Sequence, residues 1–404
     1  MDSKKLNIAI FIGSSLESGG GFQYEFMVLN ILKNLSKRND ETFNIKYYSN
    51  NCRAQEDYKE LDIDIKIIKE NQFQKYHRIV LSNLFFYKIL EKVGLGFSKI
   101  ENKLHMDNVD LVYFLYPSIL SQSLINIPYI FTLWDVGHLQ NMEFPEAAYN
   151  KTFELRESLY TKSLKKSFKI TVDSIFGKKY IVNKYNLDDE RVEVLKFLPN
   201  IRINETEAHV SIKEKYKLKN DYIFYPAQFW AHKNHMYILK AIKILREEKH
   251  IDIDVIFSGS NKGNLEYILN KATEFKINDL IHYIGFVPNE DIPYLYKQSL
   301  SLVMPTYLGP TNIPPLEAFA YKTVVCYSDT PFFREQVEDS AFFMDLKNPN
   351  SLVEHILTIQ NDKQAVEEKK EKGAEILKAW NEEDFYSKLL SIFNEYKYIR
   401  ELWK

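Results

Sequence analysis

Pro305-Thr306-Tyr307-Leu308-Gly309-Pro310-Thr311-Asn312-Ile313-Pro314-Pro315-Leu316-Glu317-Ala318 follows the apolar run Leu300-Ser301-Leu302-Val303-Met304 and leads into Leu316–Ala320. An apolar run of strand length, a turn rich in Gly, Pro, Thr and Asn, and a helix opened by proline spell a strand-turn-helix unit. In an open parallel sheet such a turn lies at the carboxyl end of its strand, where ligands bind. Proline lacks an N–H that the first helical turn would leave unpaired anyway, so the helix is expected to start at Pro314 or Pro315. The amides before it then face a cleft, and with the helix dipole they suit a phosphate. Glu317, placed in the first turn, reaches the same ligand. A turn with no ligand reads the same way, because these residue types serve any tight turn and an acidic side chain near a helix start is favourable by itself.

Working outward, 404 residues predict roughly two to three domains. Hydrophobic content of 45% and charged content of 27% fit a globular chain. The 27 Tyr and 27 Phe suit large cores and stacking surfaces. A net charge of -2 argues against a general nucleic-acid binder. Two cysteines, Cys52 and Cys326, are too few for a disulfide framework, and the chain opens without an apolar leader, so a cytoplasmic protein is expected.

The chain alternates strands and helices throughout. Leu6–Ile12 is a buried-type strand, followed by a loop ending in Gly19-Gly20-Gly21 and a helix over about 22–36. Gly20 and Gly21 let backbone approach a ligand closely. Residues 71–105 read as one or two basic, aromatic helices. Phe85 and Phe86 either face the core or, with the lysines around them, meet an anionic membrane surface. The strand Tyr129–Leu133 ends in Trp134-Asp135-Val136-Gly137-His138, where Asp135 and His138 either handle a hydroxyl or proton or serve as a cap and a structural histidine. No metal ligation is expected of them. A polar connection near residue 200 separates a second α/β half. Its strands Tyr222–Ala227 and Ile253–Ser258 end in Gln228 to His235 and in Gly259. Ile281–Ile284 ends in Gly285-Phe286-Val287-Pro288, and the fourth strand end is the opening loop. Four strand ends on one edge present binding groups along one crevice. Lys233 there complements a diphosphate as a point charge, or is an ordinary exposed lysine.

Taken in order, these residues resemble the retaining glycosyltransferases of the GT-B fold, the family-4 or group 1 transferases, over essentially the whole chain. Tyr225 to Asn234 resembles the G-R-x-x-x-x-K-N loop, and the opening stretch resembles E-G-F-G-L-P-P-L-E-A; Ile284 to Val287, Trp134-Asp135, Gly19–Gly21 and Val172-Asp173-Ser174 add to the set. The resemblance implies an α/β fold of two Rossmann-like domains facing across a cleft: residues 1–200 for the acceptor, residues 201–382 for the donor, and a helix over 383–404 crossing back onto the first. It implies a nucleoside diphosphate sugar, UDP- or GDP-linked, as donor, with no further cofactor and no metal. The implied acceptor is a glycan or lipid-linked glycan in surface polysaccharide assembly, with a possible peripheral membrane contact. Carried onto this chain, Glu317 meets the ribose, Lys233 the diphosphate, Phe286 and Val287 the base, and Pro310, Thr311, Asn312 and Ile313 the phosphate and sugar. Asp135 or His138 meets the sugar, and Gly20, Gly21, Gln228 and Gly259 line the donor. Two departures stand out: Gly309 occupies the place of the first Glu of the Glu-x7-Glu motif, and Gln228 the place of the diphosphate Arg. Both resemble a variant polysaccharide-assembly subgroup, Gly309 through G-P-T-N-x-P-P-L-E and Gln228 through P-A-Q-F-W-x-H-K-N. They also keep two other readings open, a noncatalytic nucleotide-sugar-binding subunit and a GT-B-like sugar-nucleotide epimerase.

Overall fold

The computed structural model describes residues 5–16, 19–37, 42–199, 211–309 and 311–403. The chain forms two compact units, one of residues 1–136, 153–197 and 382–404 and one of residues 137–152 and 198–381. The short segment 137–152 thus groups with the second unit although its neighbours in sequence lie in the first.

In the first unit the strands are β1 (Leu6–Ile12), β2 (Phe43–Ser49), β3 (Ile65–Ile67), β4 (Leu111–Phe114), β5 (Tyr129–Thr132), β6 (Lys169–Val172) and β7 (Val192–Val194). They pair in the order β3-β2-β1-β4-β5-β6-β7, every pair parallel. Helices connect successive strands and cover the sheet, so β4 and β5 are buried along their full length. The last helix, Glu382–Arg400, lies against this sheet. Phe393 packs near Phe43 and Tyr113, Tyr396 Oη donates to the Asp110 carbonyl at 2.8 Å, and Arg400 pairs with the Asp110 carboxylate.

The second unit holds β8 (Tyr222–Pro226), β9 (Asp254–Ser258), β10 (Ile281–Tyr283), β11 (Ser301–Met304), β12 (Val325–Ser328) and β13 (Phe342–Met344), again all parallel, in the order β10-β9-β8-β11-β12-β13. Its core joins strand residues such as Phe224, Ile256 and Val303 to helix residues such as Leu239, Leu316 and Ile356. In both sheets the strand order reverses direction once, between β1 and β4 and between β8 and β11. The crevice outside such a reversal is where doubly wound sheets take ligands. The opening loop follows β11, and the loop carrying Gln228 and Lys233 follows β8, so the two flank one reversal point.

Some local expectations shift. The helix after the opening loop starts at Ile313, a residue before the prolines, with Asn312 as N-cap. Glu317 therefore lies past the first turn. Residues 71–105 carry three helices, Gln72–Leu81, Leu84–Lys92 and Lys99–Met106, instead of one or two. Each starts at a side-chain cap that sequence periodicity does not weigh, namely Asn71, Asn83 and Ser98.

Candidate functional site

At the β8/β11 reversal the backbone loops are tied together. The Tyr307 N–H donates to the His232 carbonyl at 2.9 Å, and the Phe229 N–H donates to the Ser260 carbonyl at 3.0 Å. Gly259 N–H donates to the Gly285 carbonyl at 2.8 Å, and Tyr283 Oη donates to the Gly259 carbonyl at 2.9 Å. Gly259 thus bonds two neighbouring strand ends, and the Gly285 carbonyl already holds a donor. In the turn beyond it, Phe286 is exposed and Val287 is buried.

Asn312 organises the centre. Its side-chain amide donates to the Gly309 carbonyl at 3.0 Å and to Tyr327 Oη at 2.7 Å, while its Oδ1 accepts from Lys233 Nζ at 3.3 Å. Gln336 closes the circuit: its Oε1 accepts from the Asn312 N–H at 3.3 Å and from Tyr327 Oη at 3.1 Å, and its Nε2 donates to the Asn312 carbonyl at 2.5 Å. The Asn312 amide, expected from sequence to face an anion, is therefore committed to Gln336. Thr311 and Ile313 flank it in chain, and Pro310 lies outside the described residues. Asn312 is thus held by Gly309, Tyr327 and Gln336 with no ligand present, and Lys233 bonds its side chain. Tyr327 and Gln336 carried no signal in sequence, since each reads as an ordinary core or helix residue.

Gly309 has φ +104°, and a Cβ built there would sit 2.9 Å from Asn312 Oδ1. The position that lacks the expected carboxylate is one where an L side chain is strained and the space beside it is filled. At the other departure, Gln228 Oε1 accepts from Trp230 Nε1 at 3.0 Å.

Glu317 accepts a hydrogen bond from Tyr296 Oη at 2.8 Å, and burial raises its carboxyl above the ordinary range against that bond. His232 turns to Glu146: its backbone N–H donates to Glu146 Oε1 at 2.8 Å and its ring Nδ1 meets the same oxygen. Burial raises the Glu146 carboxyl, but the hydrogen bonds from His232 outweigh it and hold the group below its usual value. Phe144 packs against Tyr307 at 5.3 Å between ring centres, so the segment around Glu146 braces both site loops. Nothing in the spacing of Glu146 pointed to this.

In the first unit, the end of β1 is built around a residue that sequence reading passed over. Glu25, fully buried, accepts from the N–H groups of Gly13 and Ser14, from Ser14 Oγ at 3.0 Å and from Tyr58 Oη at 2.6 Å. Burial pushes its carboxyl up to about 7 despite these donors. Gly20 is open on its side-chain face, but a Cβ on Gly21 would lie 2.7 Å from the Trp134 ring, so the close approach at Gly21 is taken by tryptophan. Trp134 Nε1 is anchored on the Leu115 carbonyl at 3.1 Å. Asp135 forms an ion pair with Arg156 at 2.6 Å. His138 is buried in the short helix Gly137–Gln140 of the second unit. Among the described residues, no three of His, Cys, Asp and Glu are grouped as a metal site would require.

Among curated proteins, O-antigen chain mannosyltransferase B of Escherichia coli is 26% identical over 212 residues, which is 52% of this chain and 54% of that protein. O-antigen chain mannosyltransferase RfbU of Salmonella typhimurium is 24% identical over 227 residues, 55% of this chain and 59% of its own. These alignments span only a little over half the length of the relatives. Among solved structures, HepE of Anabaena in complex with UDP-glucose superposes with a TM-score of 0.72 at 13% identity, covering 96% of this chain and 100% of that one. A glycosyltransferase from Rickettsia africae gives 0.68 at 17% identity, covering 97% and 99%. With two parallel Rossmann-like sheets and these structural neighbours, the chain has the α/β GT-B fold, and its residues 209–376 match the family of group 1 glycosyl transferases.

Proposed function

We propose that the protein is a glycosyltransferase that moves a sugar from a nucleoside diphosphate to a hydroxyl group, with retained anomeric configuration and without metal, in the assembly of a surface polysaccharide. The observation that carries this reading is Lys233 held 3.3 Å from Asn312 at the strand reversal of the second sheet. The family match over residues 209–376 and the O-antigen transferases among the relatives support it. In the reaction the bond from the sugar's anomeric carbon to the diphosphate oxygen breaks, and its electron pair leaves with the diphosphate. The acceptor oxygen bonds to that carbon and loses its proton. Lys233 offsets the charge that grows on the leaving group, and a loop already fixed by hydrogen bonds needs no reorganisation to do so. Glu317, turned partly to Tyr296, keeps acceptor capacity for the ribose hydroxyls.

Gly20, whose side-chain face is open, and Asp135, oriented by Arg156, in the first unit, and His138 in the second, are proposed to serve the same reaction. Residues 1–200 are proposed as the acceptor part, 201–382 as the donor part, and 383–404 as the returning helix. The test is transfer from labelled UDP- and GDP-sugars to a polyprenyl-linked glycan. Lys233→Ala is expected to lower kcat/KM by about a hundredfold, as loss of one charge-stabilising donor does; unchanged turnover in that variant would sink the assignment. A noncatalytic nucleotide-sugar-binding subunit is the second reading, favoured by Gly309 and by the Gln228 side chain bonded to Trp230. It predicts nucleotide binding with no acceptor-dependent nucleotide release.

A further inference from the structure

His232 is the residue at which three parts of the second unit meet: the loop after β8, the opening loop and the segment 137–152. Its backbone N–H donates to Glu146 Oε1 at 2.8 Å, its ring Nδ1 bonds the same oxygen, and its carbonyl accepts from the Tyr307 N–H at 2.9 Å. Phe144 stands edge-on to the imidazole at 6.3 Å between ring centres. The backbone bonds and the aromatic contacts tie these loops together, so a brace has no need of a carboxylate on the ring. That bond has a chemical consequence. Burial raises the Glu146 carboxyl, and the bonds from His232 bring it below its usual value, so the shared interaction favours the charged form of both partners. Only 13% and 14% of the two side chains is exposed, so water screens the pair weakly. Lys233 is the next residue of the same short turn, Ala231–Lys233. Burial first, then the charge of Lys233 and after it that of His232, hold the His235 imidazole down, which puts both cations within electrostatic reach of one ring. Gln228, in the same loop, is neutral and bonded to Trp230.

We propose that Glu146 holds His232 as an imidazolium and that this ring is a second cation of the diphosphate site, beside Lys233. The inference rests on the donor site proposed above and assigns part of its charge. A departing diphosphate carries more than one negative charge, which a single lysine offsets only in part. Glu146 bonds the Nδ1 edge of the ring, so the positive end of the pair is the Nε2–H edge, and that N–H is the donor to a phosphate oxygen. The ring keeps its proton throughout, so the bonds made and broken are those already described. Glu146 itself is a positioning residue, setting the orientation and charge of the ring. The titratable groups around the ring are Glu146 from the segment 137–152, Lys233 and His235 from its own loop, and Tyr307 from the opening loop. Glu146 and His235 are held low, while burial and then the charges of Glu143 and Asp345 raise the Tyr307 phenol. A lysine stays charged up to about pH 9, so over about pH 5 to 9 the charge that changes in this cluster is that of His232.

The experiment is calorimetric titration of the full chain with UDP, GDP, UMP and GMP over about pH 5 to 9. Each affinity is divided by that of His232→Gln at the same pH, which cancels the titration of the nucleotide's own phosphate. For the diphosphate that binds, the wild-type ratio is expected to be about tenfold at the acid end, to fall as pH rises, and to be smaller for the monophosphate. Glu146→Gln is expected to move that fall about one pH unit lower, because the ring then loses its anionic partner. His232→Arg, a cation at every pH, is expected to restore binding at the alkaline end. Circular dichroism shows which variants are folded. The Arg variant decides if Glu146→Gln is not folded, and Glu146→Gln against wild type decides if the His232 variants are not. A ratio near one at every pH, an unshifted pH dependence in Glu146→Gln, or a folded His232→Arg no better than His232→Gln overturns the inference, since a structural ring gives those results. Binding lost in Lys233→Ala but kept in His232→Gln sinks this inference and leaves the donor site standing. A wild type that binds neither UDP nor GDP sinks the site and the inference together.

Discussion

At position 309 a missing carboxylate and a backbone constraint turn out to be the same fact. Gly309 adopts φ +104°, and Asn312 fills the space a side chain would need. Gly309→Glu is therefore expected to lower transfer activity, because it strains the loop by about 1–3 kcal/mol and displaces Asn312 from Lys233. Melting temperature and turnover measured together check this, and a gain in activity would contradict it. His235, next to the same loop, supplies a pH-dependent term. It is buried, stacked 4.1 Å from Phe229, and burial reinforced by the nearby Lys233 holds its imidazole pKa down to about 3. Between its ordinary value near 6.5 and about 3 the unfolded chain binds a proton that the folded chain does not. Stability from this group is thus present above that window and lost as pH falls through it, at up to about 1.4 kcal/mol per pH unit. His235→Phe is expected to flatten the acid limb of the stability profile in denaturant titrations from neutral pH downward.

Elements are placed by residues that sequence reading gave no part. The helix 20–37 is fastened to the end of β1 through Glu25, which satisfies the Gly13 and Ser14 amides and Tyr58 together. Removing the carboxylate leaves buried donors unpaired, each costing about 1–3 kcal/mol. Glu25→Ala is expected to destabilise the protein by at least that much, read as a shift of the urea midpoint. The helix Ile313–Ala320 shows the complementary case. Its prolines were legible as a helix start, but the start itself moved to Ile313 because Asn312 is anchored from outside the helix by Tyr327 and Gln336. Helix boundaries around residues 71–105 shifted for a similar local reason, the caps at Asn71, Asn83 and Ser98.

At the scale of the molecule, a ligand that binds only the folded chain raises its melting temperature by an amount set by its concentration over its Kd. At a hundredfold excess over Kd the gain is about 2.7 kcal/mol. A panel of UDP, GDP and their sugars is expected to contain at least one such stabiliser. Lys233→Ala should abolish its effect and the Phe85→Ser/Phe86→Ser variant should retain it, since those residues lie on different units. Loss of the shift in both variants would mean that the panel reports general destabilisation and not a donor site. A stabiliser that survives Lys233→Ala would move the nucleotide away from the β8/β11 reversal.

The sequence by itself determined the alternation of apolar runs with helical periods, and with it two parallel α/β sheets. It also determined the chemical types at the strand ends, because strand length, glycine and proline turns and helix-opening residues act over a few neighbouring positions. Lys233 and Asn312 were both legible there as loop residues. Only the tertiary structure decided that they meet at 3.3 Å, that Gln336 occupies the Asn312 amide, that Trp134 takes the space beside Gly21, and that Phe85 and Phe86 face solvent. Each of those depends on partners distant in the chain, or on what an entire helix finds to pack against, and neither is encoded in the local pattern.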